Sequence, residues 1–251
     1  MKRMIQVLGW LVFLMTCANC AQLGAQETTT VSADVSITGA AAKNAKTGGG
    51  RAPDASNVAV WLTPLDRGEA NASAPASKQK PPRLVQRNKT FDPHVLIILV
   101  GTAVEFPNKD PFFHNIFSLY DGKRFDLGLY EAGSKRSVVF DRPGVSYLFC
   151  NIHAEMSAVV IAVETPYFGL SDRTGHVVIS DVPAGRYRIN VWYERSVPEA
   201  LNALTRTVTI SNSPENLGPI HVPANPDFTA AHKNKYGLDY VPPPNPDYDH
   251  P

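Results

Sequence analysis

The most informative segment of the sequence is Cys150-Asn151-Ile152-His153-Ala154-Glu155-Met156. It brings a thiol, an imidazole and a thioether into one short stretch, with the spacing Cys-x2-His-x2-Met. A second imidazole, His114, lies upstream, just after a strand-like run. A soft thiolate and two imidazoles in one plane, with a thioether on the axis, form the ligand set of type 1 (blue) copper. The sequence therefore predicts one copper ion bound by His114, Cys150, His153 and Met156.

Taken one at a time, these residues have more ordinary interpretations. A free Cys is usually a small buried hydrophobe, and an isolated Met usually packs in a core. A lone His in a turn is more often structural than a ligand. Their joint order favours a metal centre. Zinc is the rival ion because it also accepts Cys and His, but it rarely takes a thioether, so Met156 favours copper.

Residues 84–164 resemble a cupredoxin of the plastocyanin and amicyanin type. Besides the ligand segment, the matching stretches are Phe91-Asp92-Pro93, Val100-Gly101-Thr102-Ala103-Val104-Glu105-Phe106-Pro107-Asn108, His114-Asn115 and Pro143-Gly144-Val145-Ser146-Tyr147-Leu148-Phe149-Cys150. The gap between His153 and Met156 is similar to that of amicyanin. The resemblance implies a Greek-key β-sandwich that binds copper. The whole chain also resembles exported proteins labelled methylamine-utilisation proteins, a label that we do not carry over as a function.

The resemblance also implies a role for each residue of the centre. The two imidazoles and the thiolate would be equatorial ligands, and Met156 the axial one. Asn115 would support them, with its backbone N–H directed at the sulfur of Cys150 and its side chain linking the two ligand segments. Amicyanin-like loops carry prolines where this chain has Ile152 and Ala154. Because proline has no N–H, this loop should offer the sulfur additional hydrogen-bond donors.

Most of the chain predicts β structure. Short, β-branched apolar runs bounded by Gly and Pro are typical of strands rather than helices. Such runs occur at 31–37, 57–62, 95–100, 104–106, 116–119, 137–140, 145–149 and 158–163, and later at 177–179, 187–191, 208–210 and 220–222. We predict an all-β protein, with a cupredoxin Greek-key β-sandwich followed by a smaller antiparallel β-sandwich.

Changes in composition suggest the domain boundaries. Residues 1–25 combine a basic start with a short apolar stretch, as a signal peptide does. Residues 26–164 should form the cupredoxin-like domain with an N-terminal extension and a flexible loop at about 66–82. Residues 165–222 resemble carboxypeptidase-regulatory and transthyretin-like β-sandwiches, which usually serve as scaffolds or docking surfaces. For the Pro- and Tyr-rich tail, 223–251, two alternatives stay open: disorder, or tyrosines draped over the domains.

Charge and cysteine content limit the partners and the cellular compartment that we expect for the protein. The 24 basic and 23 acidic side chains leave no basic excess for binding nucleic acid. No segment after the leader is apolar enough to span a membrane. Cys17 and Cys20 lie in or next to the leader, so Cys150 is the one thiol expected in the mature chain and has no disulfide partner. We expect an exported protein of the periplasm or cell envelope.

Three classes of function were compared. The first is a carrier of single electrons between redox partners such as a cytochrome or a dehydrogenase, with the edge of His153 as the exit and Pro111, Phe112 and Phe113 in an apolar patch around it. The second is a copper oxidase or nitrite reductase, which needs a second copper connected through a His next to the Cys. Phe149 and Asn151 flank Cys150 instead, so we do not expect an enzyme. The third is a non-redox envelope protein, structural or binding, whose copper site is vestigial or used for storage.

The remaining histidines show no ligand spacing. We expect a structural or solvent-facing role for all five of them, His94, His176, His221, His232 and His250.

Overall fold

The computed structural model describes residues 27–39, 54–66, 80–119 and 121–240. The predicted signal peptide and most of the predicted loop at 66–82 lie outside these ranges. The described residues are almost entirely β, as predicted. Their one helix has five residues, and no helix among them is long and apolar enough to cross a bilayer.

The strands of the chain are β1 (Thr28–Thr38), β2 (Ala59–Pro64), β3 (Val85–Arg87), β4 (Thr90–Asp92), β5 (Val95–Leu99), β6 (Ala103–Pro107), β7 (His114–Ser118), β8 (Phe125–Tyr130), β9 (Lys135–Val139), β10 (Gly144–Phe149), β11 (Ser157–Val163), β12 (Phe168–Leu170), β13 (His176–Pro183), β14 (Gly185–Trp192), β15 (Arg206–Ile210) and β16 (Glu215–Pro223). The helix α1 (Pro198–Asn202) lies between β14 and β15. All twelve predicted runs coincide with strands. Strands β3, β4, β8 and β12 and the helix were not predicted.

The first sandwich consists of a five-stranded sheet, β5-β11-β10-β7-β8, together with the pairs β6–β9 and β3–β4. All of them contribute side chains to one buried apolar cluster, which includes Phe106 of β6, Ile116 of β7 and Leu148 of β10. Cys150 and Met156 belong to the same cluster, so the ligand segment is anchored in the core of this sandwich.

Strand β11 is buried on both faces. Successive side chains of a strand point to opposite sides. Ala158, Val160 and Ala162 lie in the core of the first sandwich, whereas Val159 and Ile161 lie in a second, larger apolar cluster. This second cluster also contains the inward-facing side chains of the second sandwich. The five-stranded sheet therefore has a core on each face at β11, which is why β11 reads as a continuous apolar run.

The second sandwich consists of a three-stranded sheet, β13-β1-β16, and a four-stranded sheet, β12-β2-β14-β15. Its pairs are antiparallel except for β1 with β16, which is parallel. Gly175, in the turn before β13, has φ +90°, and its carbonyl accepts a hydrogen bond from Val35 of β1. A Cβ at this glycine would lie 2.0 Å from the Val35 carbonyl oxygen, so the turn packs against β1 only without a side chain.

The placement of β1 and β2 corrects the predicted domain division. The sequence assigned residues 26–64 to the cupredoxin-like domain, but β1 is the middle strand of one sheet of the second sandwich and β2 an inner strand of the other. The reason is energetic. The segment 165–222 is too small to bury a full core alone, and the inward side chains of β1, such as Val31 and Val35, complete that core.

A half-buried ion pair joins the two sandwiches. His94, just before β5, lies with Nε2 2.6 Å from the carboxylate of Glu194, just after β14, and with Nδ1 3.1 Å from the carbonyl oxygen of Ser157. Because both ring nitrogens face acceptors, the doubly protonated ring is favoured, and the Glu194 carboxylate raises the pKa of His94 above 6.5 despite its burial. His94 is therefore a structural residue, as expected.

This pair predicts a pH-dependent contribution to stability. The pKa of His94 is higher in the folded protein than the value of 6.5 in the unfolded chain, so the ion pair stabilises the fold fully below pH 6.5. This stabilisation is lost as the pH rises through the folded-state pKa. We expect wild type to exceed His94→Asn in unfolding free energy by about 1 kcal/mol at pH 5.5, since the pair is partly screened by solvent. Above pH 8 the gap should shrink. Urea titrations at pH 5.5 and above pH 8 measure this difference in unfolding free energy. Glu194→Gln is the matched control, and it should remove the same pH-dependent part of the stability. A gap that is constant or grows with pH would contradict the assignment.

Candidate metal centre

The two ligand segments come from neighbouring strands of the five-stranded sheet. His114 is the first residue of β7, and Cys150 follows the last residue of β10. The two strands pair at Phe117 and Phe149, which brings the start of β7 beside the end of β10. The loop from β10 to β11 then carries the other two predicted ligands, His153 and Met156.

Two backbone hydrogen bonds close that loop. The N–H of Met156 donates to the carbonyl oxygen of His153 at 3.2 Å, and the N–H of Cys150 donates to the carbonyl oxygen of Met156 at 3.1 Å. The chain therefore turns back on itself between the Cys and the Met. This turn places the imidazole of His153 beside the thiol.

The structure brings His114, Cys150 and His153 together. The sulfur of Cys150 lies 3.8 Å from Nδ1 of His114 and 3.5 Å from Nδ1 of His153, and the donor atoms of all three residues lie within 4.8 Å of one another. Metal bonds of about 2.0 Å to nitrogen and 2.3 Å to sulfur, in a trigonal plane, hold such atoms about 3.7 Å apart. The spacing of the three donors therefore suits one metal ion between them.

Met156 is fully buried in the same apolar cluster as Cys150. Burial is compatible with an axial thioether, and it is equally the position of a core methionine. Its role as the fourth ligand stays a prediction.

The other nitrogen of His114 is held by a buried carboxylate, Asp110, that was not predicted from the sequence. Asp110 Oδ2 lies 2.7 Å from Nε2 of His114, and both side chains are almost completely buried. The same carboxylate accepts the backbone N–H groups of Asn88 and Lys89, in the turn between β3 and β4. With Nε2–H donating to Asp110, Nδ1 keeps its lone pair on the side of Cys150.

The pKa values agree with a neutral imidazole and an ionised carboxylate. Burial lowers the pKa of His114, against the opposing effect of Asp110. Burial alone would raise the pKa of Asp110, but the hydrogen bonds from His114 and the two backbone N–H groups hold it below its ordinary value. A neutral imidazole is the form that binds metal. Asp110 lies four positions before His114, and this spacing is the one sequence signal that could have indicated the pair.

Backbone N–H groups surround the sulfur. Burial raises the pKa of the Cys150 thiol, whereas hydrogen bonds from the backbone of Asn115, Ile152 and His153 lower it. These groups favour the thiolate, which is the ligating form. The supporting role of Asn115 and the effect of a loop without proline stay predictions.

The side chain of Asn115 does not make the predicted link between the ligand segments. Its Nδ2 donates to Asp126 of β8 at 2.7 Å, and its Oδ1 has no hydrogen-bond partner among the described residues. The support that Asn115 gives to the ligand loop therefore comes from its backbone, which β7 holds in place.

Aromatic rings cover the imidazole side of the centre. The ring of Phe112 lies 5.2 Å from that of His114 and 5.5 Å from that of His153, centroid to centroid. His153 is half-buried, and Phe113 and Ile152, which adjoin Phe112 and His153 in the chain, are 56% and 47% exposed. Of the three residues predicted for an apolar patch around His153, the structure shows Phe112 in ring contact with it.

Of the remaining histidines, two are exposed and one lies against the ligand loop. His176 and His221 are exposed and bonded to Asp34 and Ser36 of β1. His232 instead stacks on Phe149, the residue before Cys150, with ring centroids 4.1 Å apart. His250 lies outside the described residues. The position of His232 near the ligand loop was not predicted, because nothing in the sequence relates the tail to that loop.

Comparisons with known proteins found partial likenesses. No protein-family model matches the chain, and no curated protein matches it. Among solved structures, a purple cupredoxin from Nitrosopumilus maritimus is 26% identical, covering 33% of this chain and 99% of its own, with a TM-score of 0.31. A copper-containing nitrite reductase from Thermus scotoductus SA-01 is 26% identical over 41% of this chain and 26% of its own, with a TM-score of 0.34. An oxidised amicyanin variant is 16% identical over 33% and 82%, with a TM-score of 0.32. Each likeness spans less than half of this chain. The function of the chain is therefore inferred from the side chains of the candidate metal centre.

Proposed function

We propose that this chain is an exported blue copper protein of the cupredoxin type, which carries single electrons in the periplasm or cell envelope. The observation that carries the proposal is the convergence of Nδ1 of His114, Nδ1 of His153 and the buried sulfur of Cys150 at distances suited to one trigonal metal ion. Met156 would supply the axial ligand from the same loop. Copper, when bound there, supplies a centre that gains and loses one electron.

The side chains of this centre suit a carrier because packing and hydrogen bonds hold them in place. Asp110 fixes the ring of His114, and two backbone hydrogen bonds fix the turn that carries His153. Cys150 and Met156 have no exposed surface. Ligands held by their own packing and hydrogen bonds rearrange little when the charge of the centre changes, which keeps electron transfer fast.

The half-buried ring of His153 provides the route to a partner. Its neighbours Phe112, Phe113 and Ile152 give an apolar surface on which a cytochrome or a dehydrogenase could dock. A carrier rather than an enzyme is proposed because Phe149 and Asn151 flank Cys150, where a copper enzyme would need a His to connect a second copper.

Electron exchange with a small cytochrome tests the proposal. Copper-loaded protein mixed with reduced cytochrome c should take up one electron per copper, and ferricyanide should restore the oxidised form over repeated cycles. Stopped-flow absorption measures both steps. Zinc-loaded protein is the control and should exchange none. A protein that binds copper but exchanges no electrons would favour the storage or vestigial alternative.

A further inference from the structure

The tail segment, residues 224–240, crosses from the second sandwich to the metal centre. After β16 it begins against the second sandwich, where the N–H of Ala224 donates to Thr38 and that of Asn225 to Arg195. It ends at Tyr240, next to the loop between β10 and β11. Of the two alternatives left open by the sequence, draping over the domains is the one that holds for these residues.

The tail segment contacts three consecutive residues of the first sandwich. The ring of His232 stacks on Phe149 with an interplanar angle of 29°. The hydroxyl of Tyr240 donates to the carbonyl oxygen of Cys150 at 2.5 Å. The backbone N–H of Lys235 donates to the side chain of Asn151 at 2.9 Å. Phe149, Cys150 and Asn151, which lead from the end of β10 into the ligand loop, therefore each have a partner in the tail.

The contacts within the tail support one another. The hydroxyl of Tyr240 lies 3.3 Å from Nδ1 of His232, and the two rings meet edge to face. The ammonium of Lys235 pairs with Asp126 at 2.8 Å, and Asp126 in turn accepts the side chain of Asn115. The tail is thus connected to both ligand segments, to one through Cys150 and Asn151 and to the other through Asp126 and Asn115.

We infer that Tyr240 and His232 are positioning residues of the metal centre, which hold the Cys150 end of the ligand loop from outside while the hydrogen bond between Cys150 and Met156 holds it from inside. The loop needs such support because it lacks proline, so its own backbone constrains it less. Without the tail, the carbonyl of Cys150 would lose its phenol donor and the loop would open more often. This inference rests on the proposed copper site for its consequences, but the restraint itself concerns the metal-free chain.

The test compares Tyr240→Phe with Tyr236→Phe in the full chain. Tyr236 belongs to the same tail, and its side chain is 71% exposed. In metal-free protein, hydrogen exchange of the amides in residues 150–156 should be about fivefold faster in Tyr240→Phe, the effect expected for one lost hydrogen bond. In Tyr236→Phe it should be unchanged. The thermal midpoint should fall by no more than about 2–4 °C in Tyr240→Phe, the shift that one lost hydrogen bond gives in a chain of this size, and should be unchanged in Tyr236→Phe.

The copper-loaded variants give a second readout. Transfer of Cu(I) to bathocuproine disulfonate should be faster in Tyr240→Phe by a similar factor, and its thiolate-to-copper absorption and EPR hyperfine splitting should shift, whereas Tyr236→Phe should match wild type. Unchanged amide exchange in Tyr240→Phe would overturn the inference, and faster exchange without any spectroscopic or release effect would overturn the positioning role. If no variant binds copper, the proposed function fails, and the metal-free exchange still decides whether the tail restrains the loop.

Discussion

Cys150→Ser is expected to abolish the thiolate-to-copper absorption completely and to weaken Cu(II) binding by more than about 100-fold. The factor is a lower limit, because the loss of a residue that merely orients a ligand already costs about 10–100-fold. The sulfur lies 3.8 Å from Nδ1 of His114 and 3.5 Å from Nδ1 of His153, and it is the sole soft anionic donor of the cluster. A serine hydroxyl is a poor replacement because it stays protonated and is a hard ligand.

The fold should tolerate this substitution, which makes it a clean test. Ser differs from Cys by one atom, and backbone N–H groups already surround the position. Circular dichroism and the thermal midpoint should therefore stay close to wild type, and a His221→Ala variant, altered at an exposed histidine, should keep full absorption. An intense visible band that persists in Cys150→Ser would show that copper binds elsewhere.

Asp110→Ala is expected to reduce copper affinity by about 10–100-fold and to release the imidazole of His114 from a single tautomer. The carboxylate fixes Nε2–H of His114 and accepts two backbone N–H groups from the turn between β3 and β4. Its removal takes away the carboxylate that accepts these part-buried N–H groups and Nε2–H of His114, so the thermal midpoint should fall as well. Nitrogen NMR of the metal-free protein reports the tautomer directly.

Asp110→Asn separates the charge of this residue from its shape. The amide retains one acceptor oxygen but carries no charge, so the centre loses a nearby negative charge and the reduced, less positive metal is favoured. We expect the reduction potential to rise in Asp110→Asn. Asp141→Asn is the matched control, because that carboxylate is exposed and paired with Lys123. A potential and a His114 tautomer that both match wild type in Asp110→Asn would contradict the assigned role.

The part of the centre that sequence could predict is the part encoded in local spacing. Three of the four predicted ligands lie within the short segment 150–156, namely Cys150, His153 and Met156. His114 could be added because it follows an apolar run and precedes an Asn, as the resemblance required. Strands β5 and β11 were also predictable, since short continuous apolar runs in a β-rich protein are typical of buried strands.

The parts that sequence could not predict depend on contacts between distant segments. Nothing in the alternation of Val31 to Ile37 says which sheet β1 joins, because any strand with one apolar face can complete any open sheet. Asp110 reads as an ordinary turn residue until the position of His114 is known. His232 and Tyr240 lie in a tail without apolar periodicity, and their contacts with Phe149 and Cys150 arise only from the path of the chain after β16.

The most direct measurement is a titration of the metal-free protein with Cu(II), followed by visible absorption and EPR. Three donors that meet around one position should give an intense thiolate-to-copper band that saturates at one copper per chain, with the narrow hyperfine splitting of a type 1 site. Copper that binds without this band, or not at all, would contradict a centre built from His114, Cys150 and His153.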